Sequence, residues 1–352
     1  MEDNALAQRA RIVPYRLKFK RPAGTSRGVL HVKDTWFLVV EKDGRRGIGE
    51  IAMFRGLSAE DGPAFERNLK ELEQTVVLLP YEALREHFED YSSILFGIEQ
   101  AALSLAAEDD PMLLFPSDFT AGRARIPING LVWMGDKEFM RRQIDEKISR
   151  GFRVIKLKIG ALDFETELEL LAYIRQQYGN DIEIRTDANG AFSPEEALEK
   201  LERLAEWNIH SIEQPIRAGQ WEEMARLCSL SPVPIALDEE LIGRHRTDKR
   251  RFLETIRPAY IILKPSLHGG LEAADQWIQA ARQTGTGWWI TSALESNIGL
   301  NALAQYTYRL GVERPQGLGT GSLFTNNIPS PLYLEGDSLG YNPRRQWQIP
   351  FL

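Results

Sequence analysis

Five charged residues recur at nearly equal intervals, and each closes a short apolar run. Lys158 ends VIKLK, Asp187 ends IEIRTD, Glu213 ends IHSIE, Asp238 ends VPIALD and Lys264 ends AYIILK. Successive members lie 29, 26, 25 and 26 residues apart. One strand-plus-helix unit of a closed α/β barrel takes about 30 residues, so the same point of each successive unit carries a charge. Amphipathic stretches such as DKEFMRRQIDEKISR and SPEEALEKLERLAEW separate the runs. The second has a ready N-cap, Ser193 before Pro194. This alternation predicts parallel βαβ units. In a barrel the C-terminal strand ends form one ring, whereas an open sheet would set the charges along a line.

The first part of the chain reads differently. Residues 11–55 alternate in hydropathy, are rich in β-branched and aromatic residues and break at Gly and Asp-Gly turns. From about residue 59 to 108 the period becomes helical. Strands followed by helices suggest a separate α+β unit. The predicted fold class is therefore α/β, a modified TIM-type (β/α)7β barrel with an N-terminal α+β capping domain. The expected division is a cap over 1–120, a barrel over 121–327 and a Pro/Gly-rich tail, 328–352, packing back on the cap.

Composition narrows the functions. At 43% hydrophobic and 26% charged, the chain holds enough apolar surface to fold without disorder. A net charge of -7 argues against nucleic acid, which needs a basic footprint. No apolar run approaches a membrane span, so no membrane partner is expected. Cys228 is the single cysteine, which suits a reducing cytoplasm, and its helical neighbours predict packing instead of catalysis. The five histidines are scattered and suggest no zinc site. A homo-oligomer is compatible with all of this.

Any one of Asp187, Glu213 and Asp238 alone would pass for a surface acid at a strand–loop junction. Three on one ring would repel unless a cation sat among them. Oxygen-only ligands select a hard ion, Mg²⁺ with Mn²⁺ as the alternative. Lys156 and Lys158 sit two apart on one strand and so share a face, the barrel interior, while Ile155, Leu157 and Ile159 face the helices. An edge strand with two solvated lysines is the competing description. A lysine crowded by another lysine and a divalent cation loses its preference for the charged form and can act as a base. Opposed lysines with a metal between them suit proton removal beside a carboxylate, so a small-molecule carboxylate is the expected partner.

These residues resemble those of the enolase superfamily, through KLK, TDAN, IEQP, LDE and LKPS. Enolase-superfamily sites are a standard example of a lysine or histidine base working with Mg²⁺. Three further segments, RPAGTSRG (21–28), SALESNIGL (292–300) and GLGTGSLFTNN (317–327), look most like the o-succinylbenzoate synthase branch of menaquinone biosynthesis. That resemblance implies a lyase that dehydrates 2-succinyl-6-hydroxy-2,4-cyclohexadiene-1-carboxylate. It implies Lys158 as base, Lys264 as a charged stabiliser and Lys156 as added positive charge, with Asp187, Glu213 and Asp238 on the metal. Asn189 faces the same way as Asp187 and orients the metal shell or simply forms the turn before Gly190. Thr25, Ser26 and Arg27 are expected in a cap loop over the substrate, Arg27 against a carboxylate unless it is a solvated turn residue. Ser292, Glu295 and Ser296, with Gly319 and Thr320, are expected to contact substrate from the barrel.

Two other classes compete. N-acylamino acid racemases, dipeptide epimerases and muconate cycloisomerases use similar machinery, and the lysine pair alone does not separate them. A non-catalytic barrel that binds a metal or an anion is the second, though a binding module needs no opposed lysines.

Overall fold

The computed structural model describes residues 4–25 and 28–352. Strands Arg9–Thr25, Gly28–Lys42 and Arg45–Ile51 form an antiparallel sheet. Helices Phe65–Thr75, Tyr81–His87 and Ser92–Ala106 follow. The last helix lies very close to the third strand. A Cβ on Gly49 would stand 1.9 Å from the Gly97 carbonyl oxygen, so only glycine permits that approach.

The parallel sheet holds seven strands, each bonded to the next in chain order. They are Gly130–Val132, Val154–Lys158, Glu183–Asp187, Ser211–Glu213, Ile235–Leu237, Tyr260–Leu263 and Gly287–Ile290. The eighth position is a short extended stretch, Gln316 and Gly317. It bridges in parallel to Ile128 on one side and to Thr291 on the other, which closes the ring. The alternation within VIKLK is as expected: Ile155 and Leu157 are fully buried against the helix layer. Lys158, Asp187 and Glu213 are successive partners in register across three strands. Ser193 caps the helix Pro194–Ala205 with a reciprocal box, its backbone N–H donating to Glu196 Oε1 at 2.9 Å. Cys228 packs against the barrel core, and burial pushes its thiol up to about 12, which leaves it unreactive.

The tail reaches two places. Its hairpin, Leu332–Glu335 with Ser338–Tyr341, pairs with Ile126–Pro127 at the barrel entry. Its last residues, Trp347, Ile349 and Phe351, pack on Phe37, Val39 and Ile48 of the cap sheet.

Glu99 ties the two layers together. Its carboxylate accepts the backbone N–H of Leu271 and, at 3.1 Å, that of Glu272, capping the helix Gly270–Thr284. Burial outweighs these bonds and raises its pKa to about 8. A carboxyl raised in the folded state contributes stability in acid that is lost as pH rises through its folded pKa. Wild-type stability is therefore expected to fall between pH 5 and 9 more steeply than that of Glu99→Gln, by up to a few kcal/mol. Urea denaturation of both proteins across that range checks it; parallel curves would refute it.

Candidate active site

The strand ends bring the charged ring together at one mouth. Lys158 lies on the second barrel strand and Lys264 follows the sixth, so the two project from opposite walls of an eight-position ring. A cavity of about 420 Å³ opens there, lined by Lys156, Lys158, Asp187, Asn189 and Lys264. Ser292, Gly319 and Thr320 line it as well. Phe19, Phe54 and Leu57 of the cap, with Trp133 and Leu294 of the barrel, supply an apolar wall.

The carboxylates and ammonium groups interlock. Lys156 Nζ bridges Asp187 Oδ2, at 3.0 Å, and Glu213. Lys158 Nζ donates to Asp187 Oδ2 at 2.9 Å and to Asn189 Oδ1 at 2.7 Å. Asn189 in turn donates to Glu239 Oε1 at 3.0 Å, so it orients Lys158 from outside the acid ring. Lys264 Nζ pairs with Asp238. Burial opposes charge on Asp187, yet Lys156, Lys158 and Lys264 hold its carboxyl well below the usual range. Burial likewise opposes charge on Lys156, but Asp187, Glu213 and Asp238 keep it an ammonium. Lys264 is raised in the same way, with Asp238 the main charge outweighing burial. Glu213 behaves differently: burial and the neighbouring acids raise it to about 7, against the pull of Lys156.

As they stand, no three His, Cys, Asp or Glu side chains among the described residues are grouped closely enough to hold an ion. The Lys156 ammonium bridges Asp187 and Glu213. The donor chemistry nevertheless fits a hard cation. Glu213 Oε1 and Asp238 Oδ1 are buried acceptors with no hydrogen-bond partner, a costly state unless a cation or donor meets them.

Two expectations for substrate contact are corrected. Glu295 is fully buried and does not line the cavity, accepting instead the hydroxyls of Ser266 and Ser292. Ser296 is fully buried as the N-cap of helix Asn297–Arg309, its Oγ accepting from Ile298 and donating to Glu50. A helix start and a partner from the cap claim both side chains, which proximity to a strand end does not reveal. Ser26, Arg27 and the side chain of Thr25 lie outside the described residues. Arg55, beside Phe54 in the cap, pairs with Asp61 and Glu66 on the surface.

The sequence reading also missed Gln214. It follows Glu213 in IEQP, and its Oε1 accepts from the Asp238 N–H at 3.1 Å and the Glu240 N–H at 3.2 Å. Gln214, Asn189 and Leu294 adopt left-handed φ values of 40°, 45° and 66°. Such conformations in non-glycine residues cluster where a site is held against strain.

The family described as Enolase C-terminal domain-like matches residues 139–316. The o-succinylbenzoate synthase of Desulfotalea psychrophila is 48% identical, over 92% of this chain and 96% of that protein. The crystal structure of MenC from Desulfotalea psychrophila superposes with a TM-score of 0.83 at 43% identity, covering 95% of this chain and 99% of that one. A dipeptide epimerase from Enterococcus faecalis, complexed with Mg and the dipeptide L-Leu-L-Tyr, also reaches 0.83 but at 19% identity, with 95% and 96% covered; that likeness concerns the fold alone. The chain belongs to the enolase superfamily, and within it to the o-succinylbenzoate synthase family.

Proposed function

We propose that this chain is a lyase that dehydrates 2-succinyl-6-hydroxy-2,4-cyclohexadiene-1-carboxylate to o-succinylbenzoate, a step of menaquinone biosynthesis in the cytoplasm. The observation that carries the reading is the pair of lysines on opposite walls of one cavity, with Asp187 paired in register beside Lys158, in a chain nearly half identical to a synthase over almost its whole length.

Lys158 takes the proton from the ring carbon that bears the carboxylate. The electron pair left behind forms the new ring double bond as the hydroxyl on the neighbouring carbon departs. Lys158 returns its proton to that hydroxyl, so water leaves and the ring becomes aromatic. A single base serves both transfers when they occur on one face, which makes the elimination syn. Lys264, kept charged by Asp238, faces the ring from the other side and stabilises it by charge and by cation–π attraction. Lys156 adds positive charge beside the carboxylate. Asn189 aims Lys158, and the Phe54 and Trp133 wall excludes water from the ring. Asp187, Glu213 and Asp238 would hold Mg²⁺, with Mn²⁺ as the substitute. The bound ion would supply Lewis-acid stabilisation of the negative charge that develops on the carboxylate.

Proton NMR of the purified protein tests the substrate class. Aromatic signals should replace those of the cyclohexadiene far faster than α-deuterium enters N-acylamino acids or dipeptides in D₂O. Rapid exchange on those compounds with no aromatic product would transfer the site to an epimerase or racemase.

A further inference from the structure

Lys33 is a second kind of buried lysine, set at the junction of cap and barrel and apart from the cluster at the strand ends. It shares the inner face of strand Gly28–Lys42 with Thr35 and Phe37 and is 3% exposed. Its ammonium has no hydrogen-bond partner. The charges facing it are Glu50 of the cap, Glu295 of the barrel and Asp34 beside it, which pairs with Arg16 on the outer surface. Glu50 and Glu295 are both fully buried. Burial draws Lys33 below the ordinary lysine range, against the pull of Glu50, Glu295 and Asp34.

The two carboxylates hold different groups, and Glu50 already joins cap to barrel. Glu50 accepts the Thr35 hydroxyl at 2.8 Å, the Ser296 N–H at 2.9 Å and the Gly299 N–H at 2.8 Å. Glu295 accepts from Ser266, two residues beyond Lys264, and from Ser292 on the cavity wall. Ser292 also receives the Thr320 hydroxyl at 2.8 Å. On the cap side, Lys33 Nζ stands 5.9 Å from the ring centroid of Phe54, another wall residue. Two buried carboxylates so placed need a counter-charge.

We propose that Lys33 is a positioning residue: its buried ammonium, over the Phe54 ring of the cap and facing the buried Glu50 and Glu295, sets the loop of Phe54 and the loop of Ser292 against one substrate. Lys33 itself does not line the cavity and takes no part in proton transfer.

The kinetic test rests on the dehydratase reading; the exchange test does not. Lys33→Met should raise KM about tenfold or more with kcat within about threefold, because closure of the wall and not the proton transfer is impaired. Backbone amides of 52–58 and 292–299 should exchange faster in the same variant, and Lys33→Arg should restore most of both properties. Adding Glu295→Gln to Lys33→Met should recover part of the loss, since the uncompensated carboxylate is then gone. Wild-type exchange in both segments, a loss confined to kcat, or strictly additive effects would overturn the proposal. If the wild-type protein does not turn over the cyclohexadiene, the dehydratase reading fails and exchange alone decides. If Lys33→Met does not fold, the double variant replaces it: folded with raised KM supports the proposal, and folded with wild-type KM overturns it.

Discussion

Lys158→Ala is expected to lower kcat by about 10³-fold or more, the upper range for a positioned acid–base group, because it removes both proton transfers. The fold should survive. Lys158 shares Asp187 with Lys156, so the acid keeps a buried ammonium partner after the substitution. Single-turnover kinetics, with circular dichroism as the fold control, read the two effects separately. Lys264→Ala should also be slow, but through weaker stabilisation of the ring and without loss of a proton acceptor. Normal turnover in Lys158→Ala would remove that residue as the base.

Asp238→Asn is expected to weaken Mg²⁺ binding by at least about 100-fold, since even outer-shell partners of a metal site cost 10–100-fold. Asp238 presents a buried, unpartnered Oδ1 and spends its other oxygen on Lys264. The substitution keeps the shape and removes the charge, so Lys264 also loses its carboxylate. Titration calorimetry with Mg²⁺ alone measures the first effect without any substrate. Unchanged affinity would refute Asp238 as a ligand.

The ring of five charges was legible because each sits where a short apolar strand meets its loop, and strand geometry alone decides where such a residue points. The period-two alternation in VIKLK was enough to turn Lys156 and Lys158 inward. The residues that went astray have partners remote in sequence. Glu295 and Ser296 follow a strand end as substrate ligands would, but Ser266 and Glu50 claim them, and Glu50 is 246 residues from Ser296. Phe19 and Phe54 read as ordinary apolar residues of the cap until the cap strands meet the barrel mouth, where Phe19 bridges to Phe324. Lys33 sits between Val32 and Asp34 with nothing local to mark it as buried, and its contact with Phe54 is 21 residues away in sequence. The interlocked ammonium groups were also hidden. Spacing places lysines and carboxylates on one ring, but it does not show that the Lys156 ammonium reaches across to Glu213.

The ultraviolet absorbance of the cyclohexadiene substrate, followed with purified protein in Mg²⁺ and again in excess chelator, tests the central claim most directly. The account predicts rapid loss of the diene band with formation of o-succinylbenzoate in Mg²⁺, arrest in chelator, and recovery when Mg²⁺ is restored. Persistence of the diene band in Mg²⁺ would contradict it.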